Sequence, residues 1–466
     1  MYPINIRELC ELTQGTLVGQ VNAAAMISGA VIDSRDVQQG DAFFALRGAN
    51  RHGIQFATDA LRDGANVVVV DQAVSAQIKA PHLAVPDAEI ALAELAHQNR
   101  CRSDALVVAV TGSVGKTTTR RLITSVLDTT HTGIQSPRNF NNYLGVPLSL
   151  LELQEDDEFA VIEIAASAPG EVSALAAIAE PEMAVVTRVA PAHLAGLRSL
   201  QEVQKAKSEL VQTLSRQGTA FLNIDDPLVA AMASVTSARV ITFGTSAEAD
   251  VRATQIQPLN DQLRLIVDGY EYLVPICGRH NATNVLAAIA VGMEVGIPVD
   301  RIAAGLQSFE ATPGRSFVTQ VGHWTVIDDT YNSSPASVSA AVRMAEEFED
   351  CRHRILVLND MLDLGEQAAD LHYGVGALLA DSKIDHIAVV GNFSTDVVEG
   401  FLASGGTLNR ISRFSDLNLL TTMLDCLLSS GDLVVVKGSR ATAMEQVLQQ
   451  LRTLCPTTTP NIRRAA

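Results

Sequence analysis

Basic residues are in short supply. Only 34 Lys and Arg stand against 52 Asp and Glu, a formal net charge of −18 over 466 residues. Such a chain repels polyphosphate backbones, which excludes nucleic acid as a general partner. An anionic nucleotide substrate needs a local cationic pocket and metal ions. Cysteine is sparse as well: the six, at 10, 101, 277, 351, 426 and 455, form no Cys-x-x-Cys pair and no His/Cys cluster of zinc spacing. That argues for reduced structural thiols in the cytosol. No apolar run approaches the roughly 18 uninterrupted residues of a membrane span, and the start Met1-Tyr-Pro-Ile-Asn-Ile-Arg has no basic stretch leading into an apolar one. A membrane-inserted or secreted protein is not expected, and the expected location is the cytoplasm. Internal repeats and low-complexity segments are missing too. The 47% hydrophobic content is that of a globular protein with sizeable cores.

Against this background one segment carries chemistry. Val107-Val-Ala-Val-Thr-Gly-Ser-Val-Gly-Lys-Thr-Thr-Thr119 runs from an apolar strand through a glycine-rich turn into the helical pattern Arg120 to Leu127. Backbone N–H groups and the positive end of a helix meet phosphate oxygens in such a turn, the lysine spans two phosphates, and the following hydroxyl can hold Mg²⁺. Val110 stands where the eight-residue Walker pattern has its first glycine, which leaves the shorter Thr-Gly-x-x-Gly-Lys-Thr form. The segment predicts ATP use, with Gly112, Ser113, Val114, Gly115, Lys116, Thr117 and Thr118 around the phosphates.

The length suggests roughly three domains. Residues 1–98 alternate short strands (31–32, 43–46, 65–70) with helices. Residues 99–313 carry longer βα units with apolar runs at 105–110, 160–164, 183–187 and 219–224, as in a parallel sheet covered on both faces. Residues 314–466 repeat that pattern with runs at 325–327, 355–358, 387–390 and 433–436, predicting a second doubly wound sheet. The polar tail from Pro456 is expected to be disordered. The fold class is therefore α/β in three parts: a small N-terminal α/β domain, a central P-loop-type parallel-sheet ATPase domain, and a C-terminal Rossmann-like domain.

Glu163 lies in the apolar strand Phe159-Ala-Val-Ile-Glu-Ile164. Either it faces solvent at the strand's carboxyl edge, or it is buried and needs positive compensation, for which Mg²⁺ is the natural partner in an ATP site. His193 follows another strand end, where open α/β sheets place ligands, and can be structural or functional. Lys205, Lys207 and Glu209 fall in a helical pattern over 199–214, for which a solvated charged face is the bland reading.

Beyond the loop, Arg138-Asn-Phe-Asn-Asn-Tyr-Leu-Gly-Val-Pro147 follows in the chain. Then come Ala192-His-Leu, Ala206-Lys207-Ser-Glu and Gly278-Arg-His-Asn-Ala-Thr-Asn284. The third block adds Pro313-Gly-Arg315, Ile327-Asp-Asp-Thr-Tyr-Asn-Ser-Ser-Pro335, Asp360-Met-Leu-Asp-Leu-Gly365 and Lys437-Gly-Ser-Arg440. In this order the segments resemble the Mur ligase family of cytoplasmic peptidoglycan enzymes, over almost the whole chain. The Asp-Asp-x-Tyr-Asn and Asp-Met-x-x-Leu-Gly segments are similar to the branch that joins D-alanyl-D-alanine to UDP-N-acetylmuramoyl-tripeptide. No Asp-Asn-Pro-Arg-like motif of the diaminopimelate- or lysine-adding branch is found.

The resemblance implies the following roles. Lys116 contacts the β/γ-phosphates. Thr117, Glu163 and His193 are ligands of two Mg²⁺ ions, and Lys207 is carbamylated beside them. His280, Asn281 and Asn284 lie against adenine or ribose. Asn139 and Asn142 sit near nucleotide and metal. Arg315 and Asp328 close over ATP from the third domain. Ser34 and Arg35, with Arg47-Gly48 nearby, belong to the UDP-sugar pocket, and Asn332 and Ser333 lie where the dipeptide enters. Four positions depart from the family pattern: Ala165, Arg188, Ser208 and Asn359. Folylpolyglutamate synthase or another Mur ligase, and a nucleotide-binding switch that has lost ligation, are the competing readings. A monomer is expected.

Overall fold

The structure, a computed structural model, describes residues 1–48 and 51–454. The polar tail from Pro456 lies outside the described residues. Three main sheets follow one another along the chain, as expected. The first orders its strands Thr16–Val18, His82–Val85, Val67–Asp71, Asp41–Phe44 and Gly29–Val31, all parallel except the first. A short ribbon of Ile4–Asn5 with Met26–Ile27 flanks it. Thr16–Val18 escapes a sequence reading because it is short and largely exposed, with no apolar run to flag it.

Nine strands build the central sheet. Its parallel part places Leu106–Thr111 between Phe159–Glu163 on one side and Met183–Val186 on the other. Thr219–Asn223 and Arg239–Gly244 extend one side and Gly133–Gln135 the other. The residues Leu-Val-Val-Ala-Val-Thr suit a strand buried on both faces. Val107 and Ala109 pack into one core, while Val108 and Val110 pack into the other beneath the helices Lys116–Leu127 and Ala282–Val295. Because the chain leaves Leu106–Thr111 for neighbours on opposite sides, the strand sits at a topological switch point, where such sheets open a crevice.

The strands Val251–Leu259, Gln262–Val267 and Tyr270–Val274 add an antiparallel meander that the βα reading did not anticipate. Their residues alternate between buried and exposed, so no continuous apolar run announces them. The signal present was a hairpin turn at Asp268-Gly269, where both φ angles are positive (50° and 79°).

The third sheet orders Phe317–Val321, Trp324–Asp329, Leu433–Lys437, Arg354–Leu358, His386–Val390 and Ile411–Phe414, parallel apart from its first strand. Helix Ala88–Cys101 crosses residue 98 without a break. Its Ala91, Leu92, Leu95 and Ala96 belong to a core shared by the first sheet and the central domain. No helix among the described residues is long and apolar enough to cross a membrane.

Candidate active site

The register of the central sheet brings the chemistry together. Glu163 pairs with Val110, so the ends of two neighbouring strands lie level, and the glycine-rich turn rises beside them. Gly112 (φ 149°) cannot carry a side chain, since a Cβ there would lie 2.0 Å from Thr187 Oγ1. Gly115 (φ 85°) starts helix Lys116–Leu127 without a side-chain cap, leaving first-turn N–H groups for an anion. Thr187 Oγ1 donates to the Val114 carbonyl at 2.6 Å, and Ser113 N donates to the Arg188 carbonyl at 2.7 Å, which fixes the loop from the next strand. Lys116 folds back on the loop, its Nζ donating to the Gly112 carbonyl at 2.8 Å. Burial lowers its pKa, opposed by the charge of Glu163.

Glu163 is buried, 1% exposed, so the solvent-facing reading does not hold. Its two oxygens are separately engaged: Oε2 accepts from Thr117 Oγ1 at 2.7 Å and Oε1 from Asn141 Nδ2 at 2.8 Å. The Arg120 guanidinium lies 3.8 Å away, itself anchored to the Ser136 and Arg138 carbonyls. Burial pushes this carboxyl up, but the charges of Lys116, Arg120 and Arg315 and the Thr117 bond outweigh it and hold the pKa below the usual range. Asn141 was not singled out from the sequence, although it stood inside the quoted Asn-Phe-Asn-Asn run.

Helix Leu200–Gln212, capped by Ser199, turns its two lysines opposite ways. Lys205 is exposed, as a solvated face predicts, but Lys207 is 1% exposed and its Nζ has no hydrogen-bond partner. Burial, then the charge of Lys116, lowers its pKa to about 7. An unpartnered amine with a pKa near 7 has a reactive neutral fraction at that pH and can react with CO₂; the resulting carbamate places a negative charge beside a cationic site. His193, in the left-handed region at φ 54°, lies 3.9 Å from Asp363 of the third domain. Burial first, then Lys116 and Lys207, lower its pKa and leave a neutral imidazole able to ligate a metal.

Across the cleft the third sheet also presents strand ends. Asp329 and Lys437 are paired in register and form an ion pair at 2.8 Å, and Lys437 Nζ also donates to the Asn332 carbonyl at 2.6 Å. The Arg315 guanidinium stacks 4.0 Å over the Tyr331 ring. Behind the loop, Asn284 Oδ1 accepts from Thr119, Asn284 Nδ2 donates to Asn281 Oδ1, and Asn281 Nδ2 donates to the Cys277 carbonyl. His280 lines the same cavity, its pKa lowered by burial. One cavity of about 310 Å³ is thus bounded by residues 113–118, Glu163 and His193 on one side and by Arg315, Asn332 and Lys437 on the other.

Other expected site residues lie elsewhere. Asp328 turns away from the cavity and accepts from Gly314 N and Thr330, so Asp329 is the carboxylate that faces it. Asn142 accepts from Gly145 N at 2.9 Å at the start of helix Gly145–Leu150, and Asn139 is exposed. Ser333 is buried next to Asn332 with an unpartnered hydroxyl. Ser34 and Arg35 form a turn in the first domain, where Arg35 pairs with Asp33.

Comparison with known proteins accords with this geometry. Residues 26–100 match the Mur ligase family catalytic domain, 110–292 the Mur ligase middle domain, and 314–440 the Mur ligase glutamate ligase domain. The UDP-N-acetylmuramoyl-tripeptide--D-alanyl-D-alanine ligase of Bacillus subtilis (strain 168) is 31% identical over 450 residues, 96% of this chain and 98% of its own. The chain belongs to the Mur ligase family. The ligase of the same name from Escherichia coli (strain K12) is 34% identical over 97% of this chain and 99% of its own. Among solved structures, MurF from Acinetobacter baumannii superposes with a TM-score of 0.87 at 29% identity, covering 97% of this chain and 99% of its own. MurF from Thermotoga maritima in complex with ADP gives 0.80 at 26%, covering 92% and 98%. Mur ligases are ATP-dependent ligases, and this chain is an enzyme of that class.

None of the four departures falls on Lys116, Thr117, Glu163, His193 or Lys207. Arg188 supports the loop through its backbone carbonyl and also lines the cavity, where its charge adds to burial in lowering the His280 pKa. Ser208 bonds back to the Lys205 carbonyl at 2.7 Å without touching Lys207 Nζ. Ala165 donates its N–H to the Asn141 carbonyl, and Asn359 accepts from Asp360 N.

Proposed function

We propose that this Mur ligase joins D-alanyl-D-alanine to UDP-N-acetylmuramoyl-tripeptide in the cytoplasm, as a monomer, at the expense of ATP. The reading rests above all on one observation: a single cavity carries Lys116, Thr117, Glu163 and His193 from the central sheet and Arg315 and Lys437 from the third. Its substrates are those in the names of the full-length relatives.

A carboxylate is a poor electrophile. ATP first phosphorylates the tripeptide's terminal carboxylate, and the dipeptide amine then attacks the acyl phosphate and expels phosphate. The protein's part is charge and position. Lys116 and the first-turn N–H groups hold the β/γ-phosphates, and Arg315 meets them from the other side. Thr117, Glu163, neutral His193 and a carbamylated Lys207 offer oxygen and nitrogen donors that suit Mg²⁺. When bound, that ion neutralises charge on the transferring phosphoryl group. Asn281, Asn284 and His280 border the nucleoside, Asn332 and Ser333 the dipeptide, and Ser34 and Arg35 the UDP moiety. Closing the third domain excludes water that would hydrolyse the acyl phosphate.

The test is phosphate release from ATP and Mg²⁺ with the two substrates supplied singly and together. Release only with both, and a product heavier by one dipeptide less water, is the expected result. Release with another amine moves the specificity, and ATP binding without release points to a switch.

A further inference from the structure

Away from the cleft, helix Ala88–Cys101 places His97 and Cys101 one turn apart on one face. The turn that ends helix Glu171–Ala179 brings Glu180 against them. One donor atom of each lies within 4.8 Å of the others. We propose that His97, Cys101 and Glu180 bind Zn²⁺, with water completing a tetrahedron.

Three independent features carry this. Ligands about 2.1 Å (N) and 2.3 Å (S) from tetrahedral zinc lie about 3.6 Å from each other; His97 Nε2 and Cys101 Sγ are 3.5 Å apart. His97 Nε2 lies 3.9 Å from Glu180 Oε1, close enough for a small rotation to close the site. Second, His97 Nδ1 is 3.2 Å from the Ile178 carbonyl, an acceptor only. The ring proton therefore sits on Nδ1 and leaves the Nε2 lone pair free to ligate, as in zinc-bound histidines; Cys101 Sγ, 4.0 Å from Nδ1 as well, lies beside the ring and reaches that lone pair by rotating its side chain. Third, the carriers are rigid. Glu180 is held in the left-handed region (φ 40°), while Arg100 Nε donates to the Ala179 carbonyl at 3.0 Å and Arg100 Nη2 to that of Glu180 at 3.1 Å. One imidazole, one thiolate and one carboxylate select a borderline-soft ion over Mg²⁺.

The sequence hid this site because its third donor comes from a distant helix. Binding expels the Cys101 thiol proton to solvent, so affinity falls as pH falls. A bound ion ties the helix shared with the first sheet to the central domain.

Co²⁺ added to the full-length protein in Mg²⁺ buffer should give a near-ultraviolet thiolate-to-cobalt band that saturates at one equivalent and is displaced by Zn²⁺. No residue that lines the cleft is a cysteine, so the band reports on a thiolate site elsewhere. Cys101→Ser, at an exposed position, should abolish it, and Glu180→Gln and His97→Gln should each weaken binding at least 10-fold. A wild type without the band, a full band in Cys101→Ser, or unchanged affinity in both the Glu180 and His97 variants would overturn the assignment.

Discussion

The Thr117 hydroxyl donates to the Glu163 carboxylate at 2.7 Å, tying the first turn of the helix after the glycine-rich loop to the end of the neighbouring strand. Glu163 thus fixes the loop while facing the groups that would hold Mg²⁺. Glu163→Gln keeps the shape and removes the charge. It should lower turnover by at least ~100-fold, the scale for losing one preorganised electrostatic group. A loss confined to ATP affinity would speak against that role.

The same carboxyl makes a pH prediction. Its folded pKa lies below the ordinary 4.5, so its stabilising contribution is full above that value and disappears as pH falls through the folded one. Thermal melts should therefore show the wild type above Glu163→Gln near pH 7, with the gap narrowing in acid. A gap that widens in acid would contradict the sign.

Lys207 works the other way. Its folded pKa, about 7, lies below the ordinary 10.5. Between those values the unfolded chain binds the extra proton, so stability rises with pH across this window, and below about 7 the full cost of burying the cation is felt. In CO₂-free buffer, Lys207→Met should be more stable than the wild type at pH 7, by on the order of a few kcal/mol, and the gain should shrink above pH 9. Turnover should nonetheless be nearly abolished. A variant that is more stable and fully active would remove Lys207 from the mechanism.

These residues were unequally legible in the sequence. Lys116, Thr117, Glu163 and His193 follow apolar strands closely enough that their place at the strand ends could be read directly. Lys207 could not, because a helix shows its face only through what packs on it, and its neighbour Lys205 does point to solvent. In the runs 139–142 and 328–329, adjacent like residues point in different directions. Asn141 reaches Glu163 while Asn142 starts a helix, and Asp329 faces the cavity while Asp328 braces Gly314. Composition cannot separate such neighbours; strand alternation and local turns do.

Gly112 offers a test of the loop that leaves every charge in place. A Cβ would meet Thr187 Oγ1 at 2.0 Å in a backbone conformation that side chains rarely adopt. Gly112→Ala should lower the melting temperature by several degrees and weaken ATP binding together. Thr187→Ser retains the hydroxyl and should leave both close to wild type.

Asp328 and Asp329 give the sharpest contrast. Asp329→Asn removes the counter-charge of Lys437, which is 1% exposed, and losing one charge of a largely buried ion pair costs about 3–5 kcal/mol. Asp328→Asn keeps one acceptor oxygen and turns the other into a donor, so it loses the bond to either Gly314 N or Thr330, an effect of about 1–3 kcal/mol in the turn that joins the two domains. Both variants should melt lower, but only Asp329→Asn alters the wall of the cavity. Pairing Asp329→Asn with Lys437→Met should recover most of the stability and none of the turnover, because a cation that lines the cavity is gone. Recovery of both in the double variant would show that the pair serves the fold alone.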